Sequence, residues 1–157
     1  MDMTSIYEYI LSRIADDLLP YGYKRSGKGR LFYRYSADKK VGCAFEMQKS
    51  MFNFPGDYSF TFNLGCIALY NMNGYYKDKL TLETVKLAAN HPQLSARLGH
   101  VSRGCDYWWN ITDEILNDYS IEEYYTQFLH PDIIKGAEYL SEQARKKESV
   151  YTKDTNT

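Results

Sequence analysis

The sequence predicts an α+β fold: a single antiparallel sheet of about five strands with N-terminal and C-terminal helices packed on it. Three observations predict it. Tyr58, Phe60, Phe62, Leu64 and Cys66 alternate with Ser59, Thr61, Asn63 and Gly65, the period-two signature of a strand with one buried face. Turn chemistry at 37–40 and at Pro55-Gly56-Asp57 joins neighbouring strand-like segments too tightly for anything but antiparallel pairing. Apolar residues at helical spacing bracket these strands at both ends of the chain.

The first helix is expected over 5–19. Ser5 and Glu8 have capping-box spacing, Ile6, Ile10, Leu11, Ile14 and Leu18 share one face, and Pro20 and Gly22 stop it. Residues 24–29 read as a basic, Gly-containing loop. Strands are expected at 31–36, 41–50 and 58–70, the second with Val41, Cys43, Phe45 and Met47 on its apolar side. A polar loop with Asn73-Gly74 follows, then a short helix capped by Thr81 and ended by Asn90 and Pro92. Leu94, Ala96 and Leu98 alternate as a strand would, and so do Tyr107, Trp109 and Ile111. Ser120 and Glu123 form a second capping box for a helix at 121–129. Pro131 then starts another, at 132–147. Residues 1–148 read as one domain and 149–157 as a polar, flexible tail.

At 157 residues the chain is long enough to bury a core without disulfides or a structural metal. The net charge of −1 gives no electrostatic case for nucleic acid or a membrane surface. Its distribution is uneven. Lys24, Arg25, Lys28, Arg30, Arg34, Lys39 and Lys40 crowd one stretch. Asp106, Asp113, Glu114, Asp118, Glu122, Glu123 and Asp132 crowd another with no Lys or Arg between them. Each is either a solvated face or, for the acidic one, a surface that docks a basic partner. The 16 tyrosines suit half-buried sheet positions and, alternatively, a binding surface. Three cysteines without C-x-x-C spacing, and no signal-peptide pattern, point to a cytoplasmic protein.

Familiar catalytic motifs do not appear. Ser26-Gly27-Lys28-Gly29 lacks phosphate-loop spacing, and His91, His100 and His130 lack metal-ligand spacing, so no cofactor and no metal is expected. Cys105, beside Gly104 and Asp106, is a weak candidate for a reactive thiol. The candidate ligand-binding site is the polar face of the central hairpin. Glu46, Gln48 and Ser50 share one side of their strand, Thr61 and Asn63 share the matching side of the next, and Arg97 extends the row if its strand joins the sheet. Trp108 should emerge beside this face while Trp109 enters the core. The same pattern is also what a solvated sheet face, or a polar network under a loop, would give.

Several segments resemble a known family in order: Gly22-Tyr23-Lys24-Arg25 with Leu31-Phe32-Tyr33-Arg34, Gln48-Lys49-Ser50, the run from Phe60 to Gly65, Arg97-Leu98-Gly99, and Asp106-Tyr107-Trp108-Trp109. The chain is identified as a member of the bacterial family catalogued as domain of unknown function 4304, from about Ile6 to Pro131. The resemblance implies a small α+β domain and carries no activity with it. It also implies that Gln48, Ser50, Asn63 and Arg97 are the recurring polar positions.

Three functions fit these residues. The first is a non-enzymatic binding protein, in the form of an immunity protein that neutralises a toxin through protein–protein contact, as a monomer or weak dimer. The second is a small-molecule or peptide binder using the polar sheet face. The third is an enzyme with Glu46 as general base and Arg97 as anion stabiliser, which lacks an evident second catalytic group.

Overall fold

A computed structural model describes residues 2–72 and 78–155, so the Asn73-Gly74 loop lies outside the described residues. Helix α1 (Met3–Leu18) begins two residues before its predicted start. Asp2, not Ser5, caps it, accepting from the Ser5 amide at 2.8 Å. Glu8 is drawn away from the cap by a two-toothed contact with the Arg25 guanidinium at 2.9 and 3.1 Å. That contact tethers α1 to β1 (Lys24–Arg25), a two-residue strand where the sequence reads as loop. Next come β2 (Leu31–Tyr35), β3 (Val41–Lys49) and β4 (Asp57–Ala68). The rest of the chain is α2 (Leu82–Ala88), β5 (Ser95–Arg97), α3 (Leu98–Arg103), β6 (Trp109–Thr112), α4 (Asp113–Asp118), α5 (Ile121–Tyr124) and α6 (His130–Thr155).

All pairings are antiparallel, in the order β1-β2-β3-β4-β5, with β6 also on β4. β4 is long enough to serve two short partners. Its start, Asp57 to Phe60, pairs with β6, and Asn63 to Gly65 pairs with β5. The alternation of β4 decides the layers. Phe60, Phe62 and Leu64 face the main core with Phe45, Phe32 and Trp109, under α1 and α6. On the opposite face, α2 packs over Ala44 and Ile67 with Leu80, Val85 and Ala88. That packing requires glycine at 65, because a Cβ there would lie 2.3 Å from the Ala88 carbonyl carbon.

The C-terminal half departs from the prediction in four places. The alternation at Leu94, Ala96 and Leu98 yields a strand of only Ser95–Arg97, after which Leu98 opens α3. α4, unpredicted, follows β6 directly, with Thr112 accepting from the Ile115 amide. The helices expected at 121–129 and 132–147 form one continuous path. Ser120 and Glu123 make the predicted capping box, and a π-helical turn at Tyr125–Leu129 then runs into α6. Pro131 would normally break such a path, since it lacks an N–H and crowds the carbonyl four residues back. The wider turn relieves this: the His130 amide bonds the Tyr125 carbonyl, five residues back. α6 continues past residue 148 to Thr155, into the stretch expected to be a flexible tail.

Candidate functional site

Register brings the predicted polar residues together. Asn63 stands opposite Glu46 on one side and Arg97 on the other, and Thr61 stands opposite Gln48. Glu46, Asn63 and Arg97 therefore form one row across three strands. Asn63 donates from Nδ2 to Gln48 Oε1 at 3.0 Å. The Arg97 guanidinium lies over the Trp108 ring, 5.3 Å from its centroid. Its Nη1 is buried with no hydrogen-bond partner among the described residues.

Other predicted members are committed elsewhere. Thr61 is fully buried and donates to the Tyr107 carbonyl at 2.9 Å, so it fastens the 105–108 segment to the sheet. Glu46 accepts from Asn90 at 3.3 Å and lines a groove of about 380 Å³ with Arg30, Glu83 and Lys86. Arg97 does not line that groove. Ser50 lies just beyond β3, where its hydroxyl accepts from the Phe52 amide at 3.1 Å and shapes the hairpin loop. Cys105 is exposed, whereas Cys43 and Cys66 are buried face to face at 3.5 Å. Among the described residues no group of three His, Cys, Asp or Glu side chains could hold a metal ion. No described helix is long and apolar enough to cross a membrane.

The structure adds two sites that sequence reasoning missed. The first is the β3–β4 tip, where Met51, Phe52 and Phe54 are 86%, 81% and 59% exposed. The loop that carries them is firmly held. Asn53 donates to the Tyr7 hydroxyl at 2.6 Å and to the Ser59 carbonyl, and accepts from the Ser59 amide at 2.8 Å. Gly56 turns the chain with φ +86 beside the Asp113 carboxylate, where a Cβ would lie 2.5 Å from an oxygen. Burial pushes the Tyr7 hydroxyl up to about 12 despite the Asn53 bond. Lys49, over the Tyr7 ring at 4.4 Å, is held below its ordinary range by desolvation and by nearby Arg30. The available signal was three large apolar residues inside a turn, where polar ones are the rule.

The second is a part-buried cluster where α1 meets the π-turn. The Asp17 carboxylate accepts from the Tyr125 hydroxyl and lies 2.7 Å from His130 Nδ1. Burial, then the Asp17 contact, pushes the Tyr125 hydroxyl well above the ordinary phenol range. Nothing in the spacing of residues 17, 125 and 130 announces this contact, because only the tertiary fold creates it.

No curated protein and no solved structure matches the chain. One family model does, a domain of unknown function (DUF4304), over residues 14–135. That span runs from within α1 to the start of α6 and takes in every strand of the sheet. The chain therefore belongs to the DUF4304 family.

Proposed function

We propose that this protein acts by binding another protein, through a surface that runs from the β3–β4 tip onto α4. The observation that carries the reading is the tip itself: three large apolar side chains displayed on a loop pinned by Asn53. Exposed apolar anchors on a preorganised loop lose little freedom on docking and gain burial, which is the pattern of an interface hot spot. The neighbouring charge supports a basic partner. Asp113 abuts Gly56, and Glu114 and Asp118 are exposed along α4. An immunity protein that neutralises a basic toxin in the bacterial cytoplasm is the biological form this reading takes. It is tested by complex formation with the product of the adjacent gene. Changing Phe52 and Phe54 to Asp should weaken that complex by at least about tenfold. An undiminished affinity would sink the tip as the docking surface.

A second reading is favoured by Arg97. Its unpartnered Nη1, beside the Gln48–Asn63 pair and on Trp108, supports a small carboxylate or peptide ligand on the polar sheet face. Such a ligand at 100 times its dissociation constant would add about 2.7 kcal/mol of stability in a thermal-shift screen. Loss of that shift in Asn63→Ala would support the site. The enzyme reading is weaker, because Glu46 opens into a groove that Arg97 does not share.

A further inference from the structure

We infer that the cavity between α4 and the π-turn receives a cationic side chain, an arginine or lysine, of a basic protein partner; the inference rests on the protein-binding reading above. The cavity has a volume of about 270 Å³ and is lined by Tyr107, Asn110, Ile115, Tyr119, Tyr124 and Phe128. Four of its six walls are aromatic. Phe128 meets Tyr119 at 90° and 5.1 Å and Tyr124 at 46° and 5.4 Å, so the rings stand as the sides of a corner instead of stacking flat. Aromatic faces carry negative quadrupole charge and attract a guanidinium or ammonium held against them.

The chain already contains an example of the contact. The Arg103 guanidinium sits 4.0 Å from the Tyr107 centroid. Its charge is matched by Asp132 at 2.8 Å, so it does not leave the cavity rim with an uncompensated cation. The exposed charge on the two short helices beside the cavity is instead negative: Glu114 and Asp118 on α4 and Glu123 on α5 are all exposed. Glu114 and Asp118 form no ion pair among the described residues. Asn110 contributes an acceptor. Its Nδ2 is turned toward Asp57 and Ser59, both at 2.6 Å, which fixes the amide orientation and leaves Oδ1 without a donor among the described residues. Ile115 lies within α4 and Tyr119 caps its end, and the first residue of that helix touches the hairpin tip, so this cavity continues the proposed docking surface.

The test uses acetyl-arginine-amide as the probe and acetyl-citrulline-amide as its uncharged isostere, titrated against the full chain. Ring resonances of Tyr119 and Phe128 report binding. The arginine derivative should bind saturably and at least about threefold more tightly than citrulline. Phe128→Ala should abolish the response, and Tyr119→Phe should retain it. Phe128 is 37% exposed, so its truncation should leave the fold intact; if it does not, Tyr119→Leu replaces it. Equal binding of the two derivatives, no saturable shift up to about 0.1 M, or binding that survives both truncations would each overturn the inference. Failure here would be distinct from failure of the docking surface. A partner complex that depends on Phe52 while arginine does not bind would refute the cavity and keep the surface. Arginine binding with a complex indifferent to Phe52 would do the reverse.

Discussion

Asn63 bonds Gln48 diagonally across the sheet, at 3.0 Å, although neither is the other's register partner. The reason is Thr61. It stands directly opposite Gln48 but is buried and spends its hydroxyl on the Tyr107 carbonyl. Gln48 is left to take Asn63, and the pair lies next to Arg97.

Asn63→Ala should therefore cost about 1 kcal/mol, the net worth of one half-buried hydrogen bond. Urea melts of the single variants and of the double with Gln48→Ala would check it. The two losses should be markedly less than additive. Full additivity would mean that each amide is solvated on its own.

Gly65→Ala should destabilise by roughly 1–3 kcal/mol, because the new methyl would meet the α2 backbone, which cannot rotate away as a side chain would. Gly104→Ala makes a useful contrast. Nothing lies within 4 Å of its Cβ position, and its cost is only that of φ +77, about 1–2 kcal/mol. In Gly65→Ala the disturbance should be local, read as faster amide exchange in α2.

Phe62→Ala should cost roughly 3–5 kcal/mol, since the ring is fully buried and packs edge-to-face on Phe45, Phe60 and Trp109. A loss under about 1 kcal/mol in denaturant melts would contradict its place in the main core.

Alkaline pH should unfold the protein. Burial raises the hydroxyls of Tyr7, Tyr23, Tyr124 and Tyr125 above the ordinary phenol range. A group whose folded pKa is raised contributes stability in full below its unfolded value, near 10 for tyrosine. That contribution is lost as pH rises through the folded value, which for Tyr7 is about 12. Melting temperature should fall steadily from about pH 10 upward, and Tyr7→Phe should reduce the slope. A profile indifferent to that substitution would show that Tyr7 ionises without strain.

What the sequence made legible is what local periodicity encodes. The parity of β4 assigned Phe62 inward and Asn63 outward, and Ser120 announced the start of α5. Errors arose where two local rules competed or where distance intervened. Asp2 and Ser5 are both good caps, and Glu8 decided between them only through Arg25, 17 residues away. Leu94, Ala96 and Leu98 fit a strand, but the close approach of Gly99 to Cys105 and Tyr107 turns the chain into α3. Pro131 reads as a helix start because the π-turn that absorbs it leaves no pattern in apolar spacing. Of the polar face, register could be anticipated. The covering of Thr61 by the 105–108 segment could not, because it depends on how a later segment folds back. At the hairpin tip, turn chemistry accounts for Pro55 and Gly56 but is silent on the exposed Met51, Phe52 and Phe54.

The stretch that relates this chain to its family stops at residue 135, but the sheet is not roofed until later. Ala137, Leu140 and Ala144 on α6 are buried against it, and the Leu140 carbonyl approaches the Cys43 thiol at 3.8 Å. The stretch matched by the family model thus ends before the part of α6 that covers the sheet. A fragment trimmed to the shared stretch would present two thiols and a strip of bare sheet to solvent. It should be recovered as an aggregating species, whereas a fragment ending beyond Ala144 should remain dispersed.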